Sequence, residues 1–273
     1  MSEKIGLIAG SSQFPLLFAQ VAQQKGLEVI AVGHYGETDP ALADLVSQLE
    51  WVYVGQLGRI IRCFQMAGVS QAVMAGGIRK GRLYTHLRPD WRAINLIRRV
   101  GRVRDDGILR AVAEELEGAG ITIVPSTLFL DELLAPAGLL SRRKPTPEEL
   151  QDVDYGFNIA KEIGRLDIGQ CVVVRRQAVL ALEAIEGTDE TIRRGGRLAG
   201  EKAVVVKVSK PGQDLRFDVP AVGLETIKVM IEVKAAVLAV EAGKTLIFNR
   251  EAMLNEANRA RLAVLGVSEP TVL

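Results

Sequence analysis

Aromatic side chains are scarce in this sequence: they make up 5% of its 273 residues, so any core has to be built mainly from aliphatic side chains. Cysteine is nearly absent. Cys63 and Cys171 form neither a disulfide framework nor metal-ligand spacing. Only two histidines occur, His34 and His86, which argues against an imidazole-centred mechanism or a histidine-rich metal site. No stretch approaches the roughly 20 apolar residues of a membrane span. The formal net charge is +1, which argues against a general nucleic-acid binder. No GxGxxG or Walker loop follows any strand pattern, so the standard dinucleotide and ATP motifs are absent.

Hydrophobic residues make up 48% and charged residues 25% of the chain, the composition of an ordinary globular protein. The first half alternates strand and helix patterns. Ile5–Ala9 reads as a buried strand, residues 10–15 as a loop, Leu16–Gln24 as a helix, and Leu27–Val32 as the next strand. Further strands are expected at Trp51–Val54, Gln71–Ala75 and Ile121–Val124, with helices between them. This is the pattern of a Rossmann-like, doubly wound sheet. Gly10-Ser11 and Gly76-Gly77 follow strands in it, where open α/β sheets bind ligands and where glycine lets a ligand approach the backbone. His34–Pro40 falls at the same sheet edge. Asp105 and Asp106 read most simply as the start of a helix.

Charge is distributed unevenly. From Arg79 to Arg104 there are nine Lys/Arg residues and one acid, Asp90, and Trp91–Val100 reads as a basic amphipathic helix. Such a patch suits a phosphate ligand or an anionic membrane surface, and equally a solvated face. Residues 139–157, with Pro145, Pro147 and a run of cations, have the composition of a linker. That divides the chain into an N-terminal Rossmann-like domain, 1–138, and a second α/β (α+β) domain, 158–273. The second domain opens with a hairpin at 171–185 rather than a βαβ unit. A short helix should start near Thr188-Asp189 and end at Gly195-Gly196, and a last helix should run from Arg250 to about Leu265.

The densest polar sequence lies beyond the strand Val204–Val208. Lys207, Lys210, Asp214, Arg216 and Asp218 fall within 12 residues. The carboxylates suit a divalent cation or an ordered water, and the cations suit phosphate. A solvated turn with local ion pairs accounts for the same spacing equally well. From Arg193 to Arg216 there are seven Lys/Arg residues against two acids, a field that suits a diphosphate.

These stretches together resemble the UDP-2,3-diacylglucosamine pyrophosphatases of the LpxI type. The resemblance is carried by Ile5–Gly10 with Pro15, Gly76-Gly77-Ile78, Asp105-Asp106, Glu186–Asp189 with Gly195-Gly196, and Lys210–Pro220. Gly223, Thr226 and Glu241-Ala242-Gly243 complete it. Ser11-Ser12 stands where family members often have a glycine-rich loop. The resemblance implies a Mg²⁺-dependent hydrolase of lipid A biosynthesis, cleaving UDP-2,3-diacylglucosamine to UMP and 2,3-diacylglucosamine 1-phosphate (lipid X). It implies a cytoplasmic homodimer in peripheral contact with the inner membrane. Asp214, Asp218 and Lys210 are the expected catalytic residues, with Asp214 and Asp189 as metal ligands. Gly10, Ser11, Gly76, Gly77, Thr188, Asp189, Lys207 and Arg216 would bind substrate. A non-enzymatic nucleotide-sugar or lipid-phosphate binding protein is the alternative.

Overall fold

A computed structural model of the chain describes residues 3–78, 87–100, 105–212, 214, 216, 217 and 219–268, without the side chains of residues 100, 105 and 106. It divides into two compact units. One is Met1–Asp131 with Asp214–Asp218; the other is Glu132–Gln213 with Val219–Leu273.

The first unit is built on β1 (Lys4–Ala9), β2 (Glu28–His34), β3 (Gln48–Val52), β4 (Gln71–Ala75) and β5 (Thr122–Ile123). They form a parallel sheet in the order β3-β2-β1-β4-β5. The order reverses between β1 and β4, so a crevice opens beyond the carboxyl ends of those two strands. β2 is buried along nearly its whole length, as a parallel strand covered on both faces must be. Helix α1 (Phe14–Gln24), with Pro15 in its first turn, packs on β1, β2 and β4. The other face is covered by α2 (Leu57–Ala67), α3 (Trp91–Val100) and α4 (Asp105–Gly118). Their core includes Ile30, Val32, Ile60, Phe64, Met74, Leu96 and Leu116. Phe64 is fully buried, a contribution of roughly 1.5–3 kcal/mol against leaving it exposed. Phe217, from far along the chain, is buried in the same core and brings Asp214 and Arg216 into this unit.

The second unit has a six-stranded sheet in the order β6-β13-β11-β9-β7-β8. Its members are β6 (Gly138–Leu139), β7 (Cys171–Arg175), β8 (Ala178–Leu182), β9 (Val204–Lys207), β11 (Val237–Glu241) and β13 (Ala263–Val267). β9, β11 and β13 run parallel, and β7 runs against β9. The short strands β10 (Ala221–Val222) and β12 (Leu246–Ile247) pair separately. Helix α5 (Pro147–Arg165) covers one face through Val153, Phe157, Ala160 and Ile163. Its start is fixed by a capping box, in which Thr146 and Glu149 satisfy each other's backbone N–H. The other face carries α6 (Thr188–Ala199), α7 (Leu224–Glu232) and α8 (Arg250–Arg259), packed through Ile192, Ile227, Met230 and Met253.

Four sequence expectations are corrected. The expected linker, 139–157, lies inside the second unit: Leu139 pairs with Leu265, and α5 begins at Pro147. The helix expected from Pro147 to about Gly164 is present, but it packs on the second unit's own sheet, so 139–157 does not separate two domains. The unit boundary lies at 131/132, and the first unit takes an insert from Asp214–Asp218. Gly195-Gly196 does not end α6, which continues to Ala199. These glycines permit close packing instead: a Cβ on Gly195 would lie 2.5 Å from Val173 Cβ, and one on Gly196 2.3 Å from Val233 Cγ2. Finally, the last helix stops at Arg259, and Ala263–Val267 is a buried strand beside β11. A short apolar run continuing a helical pattern cannot be separated from it by periodicity alone.

Candidate active site

The first unit's crevice is bordered by the loops after β1 and β4. These loops are knitted together. Gly10 N donates to Ala75 O at 2.8 Å, and Ser11 donates to Gly77 O from both its N and its Oγ at 2.8 Å. A Cβ on Gly10 would sit 2.5 Å from Gly77 O, and one on Gly76, at φ +79°, would sit 2.1 Å from Ser11 O. The expected approach of a ligand to bare backbone is therefore only part of the account: Gly10 and Gly76 first admit each other's loops. Ser12 follows at φ +84°, a conformation that costs a non-glycine residue about 1–3 kcal/mol and that clusters at ligand sites.

Beside these loops the end of β2 turns through Tyr35–Thr38. His34 Nδ1 donates to Ala9 O at 2.9 Å. Thr38 Oγ1 donates to the same carbonyl at 2.6 Å and accepts from His34 N at 2.8 Å. Burial holds the His34 imidazole below its ordinary pKa, so it stays neutral and fixes the turn to the head of β1. The turn borders a cavity of about 730 Å³, lined by Ser12, Tyr35, Glu37, Thr38, Asp39 and Trp51 among others. Sequence reading placed residues 34–40 at this edge but gave them no role.

Asp214 is held by several hydrogen bonds. Its Oδ1 accepts from Arg216 N at 3.1 Å and from Arg216 Nε at 3.0 Å. Its Oδ2 accepts from Arg216 Nη2 at 2.8 Å, and Arg110 Nε lies 4.0 Å away. The hydrogen bonds from Arg216 hold the Asp214 carboxyl below the usual carboxylate range. Arg216 also reaches Glu117 at 3.3 Å and lies over the Phe217 ring. Asp218 lies outside the described residues.

In the second unit the polar groups collect at one end of the sheet. Lys207 closes β9 opposite Cys171, one register step from Glu241 at the end of β11. Lys207 is 8% exposed, and its Nζ donates to Ala221 O at 2.8 Å. Lys210 Nζ lies 2.7 Å from Asp167. Glu241 accepts from Lys161 Nζ at 2.7 Å on both oxygens, from Ser209 N at 2.8 Å and from Lys244 at 2.8 Å. Burial alone would raise the Glu241 pKa, but the bonds from Lys161, Lys244 and Ser209 lower it overall. Beside Cys171, whose thiol is pushed far up by burial, Glu183 Oε1 accepts from Thr188 Oγ1 at 2.8 Å. Asp189 is exposed in the first turn of α6, where the helix dipole favours a carboxylate.

Gly10, Ser11, Gly76, Gly77, Asp214 and Arg216 thus belong to the first unit, and Thr188, Asp189, Lys207 and Lys210 to the second. Among the described residues, no group of three or more His, Cys, Asp or Glu side chains could hold a metal ion. Asp214 has both oxygens committed to Arg216, so the expected ligands do not fit a Mg²⁺ cage of protein groups. Sequence reading missed Lys161, Glu183 and Lys244. Glu241 was visible only as part of the resemblance. Lys161 gives no local signal, because its partner lies 80 residues away.

Fold and site together define a two-unit α/β protein with polar groups gathered at strand ends, an arrangement suited to phosphate and nucleotide ligands. Residues 4–133 match the LpxI N-terminal domain, and residues 136–265 match the LpxI C-terminal domain. The chain is 34% identical, over 97% of its length and 97% of the relative's, to the UDP-2,3-diacylglucosamine pyrophosphatase LpxI of Caulobacter vibrioides. It belongs to the LpxI family. Two solved structures show much weaker likeness. The biotin carboxylase domain of a thermophilic 2-oxoglutarate carboxylase is 13% identical, with a TM-score of 0.25 over 60% of this chain and 42% of that one. The biotin carboxylase subunit of pyruvate carboxylase is 14% identical, with a TM-score of 0.28 over 68% and 39%. Likeness at that level carries no argument.

Proposed function

We propose that this protein hydrolyses the diphosphate of UDP-2,3-diacylglucosamine, giving UMP and 2,3-diacylglucosamine 1-phosphate in lipid A biosynthesis. The observation that carries the reading is the 34% identity with the Caulobacter pyrophosphatase over 97% of both chains.

The chemistry assigned to the residues follows from charge. In diphosphate cleavage, negative charge builds on the departing bridging oxygen, and fixed cations lower that barrier. Our candidates for this charge are Arg216 in the first unit and Lys210 in the second, the latter with Lys207 as a buried support. A diphosphate competes with Asp214 for Arg216. The carboxylate so released orients the attacking water and takes its proton, with Asp218 beside it in sequence as the second acid. Thr188 and Asp189 are our candidates for substrate contacts in the second unit, and Gly10, Ser11, Gly76 and Gly77 are those in the first. We retain Mg²⁺ as the cofactor. Mg²⁺ is commonly held by one or two carboxylates together with substrate phosphates, so it would not require a complete cage of protein groups. No step is assigned to it.

We further propose a cytoplasmic homodimer that meets the inner membrane peripherally. No helix among the described residues is long and apolar enough to cross a membrane. Support for peripheral contact comes from α3, where Trp91 is 66% exposed beside Arg98. The test is direct: purified protein, UDP-2,3-diacylglucosamine in mixed micelles and Mg²⁺, with and without EDTA. UMP release abolished by EDTA is expected. Binding without UMP release would establish the non-enzymatic alternative, and release unaffected by EDTA would remove Mg²⁺.

A further inference from the structure

The C-terminal end of α5 covers the sheet and also grips the chain where it leaves β9. Lys161 and Gly164 are three positions apart and share a face of the helix, and Asp167 follows three positions later, just past the helix end. Each of the three meets the segment Ser209–Pro211. Lys161 Nζ donates to Ser209 O at 3.0 Å and to both oxygens of Glu241 at 2.7 Å. Glu241 in turn accepts from Ser209 N at 2.8 Å. The backbone of Ser209, itself buried, is thus held through both its N–H and its C=O. Lys161 also lies over the Phe157 ring, one turn earlier in α5. At Gly164 the helix has no side chain, and a Cβ there would lie 3.2 Å from Lys210 Cα and 3.1 Å from Pro211 Cδ. The Lys210 backbone therefore rests directly on the helix. Asp167 has φ +58°, a left-handed conformation that aspartate and asparagine visit more readily than other side chains. Its Oδ1 accepts from Lys210 Nζ at 2.7 Å. With the two side chains 20% and 22% exposed, solvent screens this pair only in part. Lys210 is fixed in three places: at the peptide before it, at its own Cα and at its ammonium.

We propose that the end of α5 is the positioning element for Lys210, and that Asp167 is the positioning residue that sets the direction of its ammonium. A cation already held in place stabilises developing phosphoryl charge without reorganising during the reaction. The backbone around Lys210 is fixed by Lys161, Glu241 and Gly164, so one carboxylate suffices to orient what remains free, the four-carbon side chain. Asp167 acts through Lys210 and needs no contact with substrate. The proposal depends on the hydrolase reading for the anion that Lys210 meets.

The experiment compares full-length wild type with Asp167→Asn, which keeps the left-handed turn but removes the charge. UMP release, the melting temperature and the rate at which acetic anhydride acetylates Lys210 are measured on the same preparations, the last by mass spectrometry of the peptide that carries it. In Asp167→Asn, kcat should fall about tenfold with KM little changed, the pattern of a misplaced group that acts in the transition state. Lys210 should be acetylated several-fold faster. In a Lys210→Gln background, Asp167→Asn should lower turnover no further, since the two residues act as one unit. Gly164→Ala presses on the Lys210 backbone while alanine itself favours the helix, so it should also lower kcat. It serves as the second variant if Asp167→Asn melts early. Glu162→Gln removes an exposed acid of the same helix, paired with Arg165, and should change neither kcat nor the acetylation rate. An unchanged kcat or an unchanged acetylation rate in folded Asp167→Asn overturns the proposal. An equal loss of turnover in the Lys210→Gln background overturns it also, because Asp167 would then act without Lys210. A wild-type protein that releases no UMP overturns the hydrolase reading, and faster acetylation in Asp167→Asn would still support the hold of Asp167 on Lys210.

Discussion

Lys161 Nζ lies 2.7 Å from both carboxylate oxygens of Glu241, a residue 80 positions further along the chain. The pair ties the covering helix α5 to the end of β11, and Glu241 also holds the backbone N–H of Ser209, next to Lys210. Glu241 is 2% exposed. Removing Lys161 takes away the better buried of the two cations on Glu241 but leaves Lys244 and the Ser209 N–H in place, so the cost is that of a charged hydrogen bond, about 1.5–3 kcal/mol, rather than that of an unpaired buried charge. Lys161→Ala should therefore lower the unfolding free energy by about 1.5–3 kcal/mol in urea titrations. A change below about 1 kcal/mol would show that solvent reaches the carboxylate after all.

The same pair fixes a pH dependence. The Glu241 carboxyl is held below its ordinary value near 4.5 in the folded protein. A group lowered on folding contributes its full stability above the unfolded value, and loses it as pH falls through the folded one. Urea midpoints should thus fall below pH 4.5, and the Glu241→Gln variant should show a shallower fall than wild type. Parallel pH profiles for the two proteins would exclude Glu241 as a source of acid sensitivity.

The two glycines after β4 should behave differently. Gly76 has φ +79°, and a Cβ there would lie 2.1 Å from Ser11 O, while a Cβ on Gly77 meets nothing within 4 Å. Gly76→Ala should destabilise by about 1–3 kcal/mol or more, and Gly77→Ala by less than about 0.5 kcal/mol. Thermal melts of the two variants are the check. Equal melting temperatures would mean that the two loops are not locked together.

That contrast shows where sequence is informative and where it stops. The strand pattern around Ile5–Ala9 and Gln71–Ala75 is legible because both are short apolar runs between breakers, and the switch point follows from their order. Gly76-Gly77 is legible as a special loop, but the division of labour between the two is set by Ser11, 65 residues earlier. The strand at Ala263–Val267 was hidden by the helical pattern leading into it. Asp214 was identified as a site candidate on charge and spacing. Its commitment to Arg216, and the burial of Phe217 in the first unit's core, are tertiary facts with no local signature.

Asp214→Asn tests the central catalytic assignment with little change in shape. The amide keeps one acceptor for Arg216 but cannot take a proton from water. Turnover should fall by about 10²–10⁴-fold, the usual worth of a general base. The melting temperature should drop modestly, since the Asp214–Arg216 pair is partly exposed. UMP release and circular dichroism on the same sample separate the two effects. Full activity in a folded variant would remove Asp214 from the mechanism and leave Asp218 as the acid to examine.

The side of attack is decided by where the oxygen of water ends up. We propose, from the family resemblance, that the water oxygen bonds to the phosphorus on the sugar side and that this phosphorus releases the bridging oxygen. The bridging oxygen departs with UMP, and one water proton passes to the carboxylate. Hydrolysis in oxygen-18 water should then place the label in the phosphate of 2,3-diacylglucosamine 1-phosphate and leave UMP unlabelled, as read by mass spectrometry of both products. Label in UMP would move the attack to the uridine-side phosphorus. The leaving group would become the sugar phosphate, and the cations assigned to the departing oxygen would have to serve that half instead.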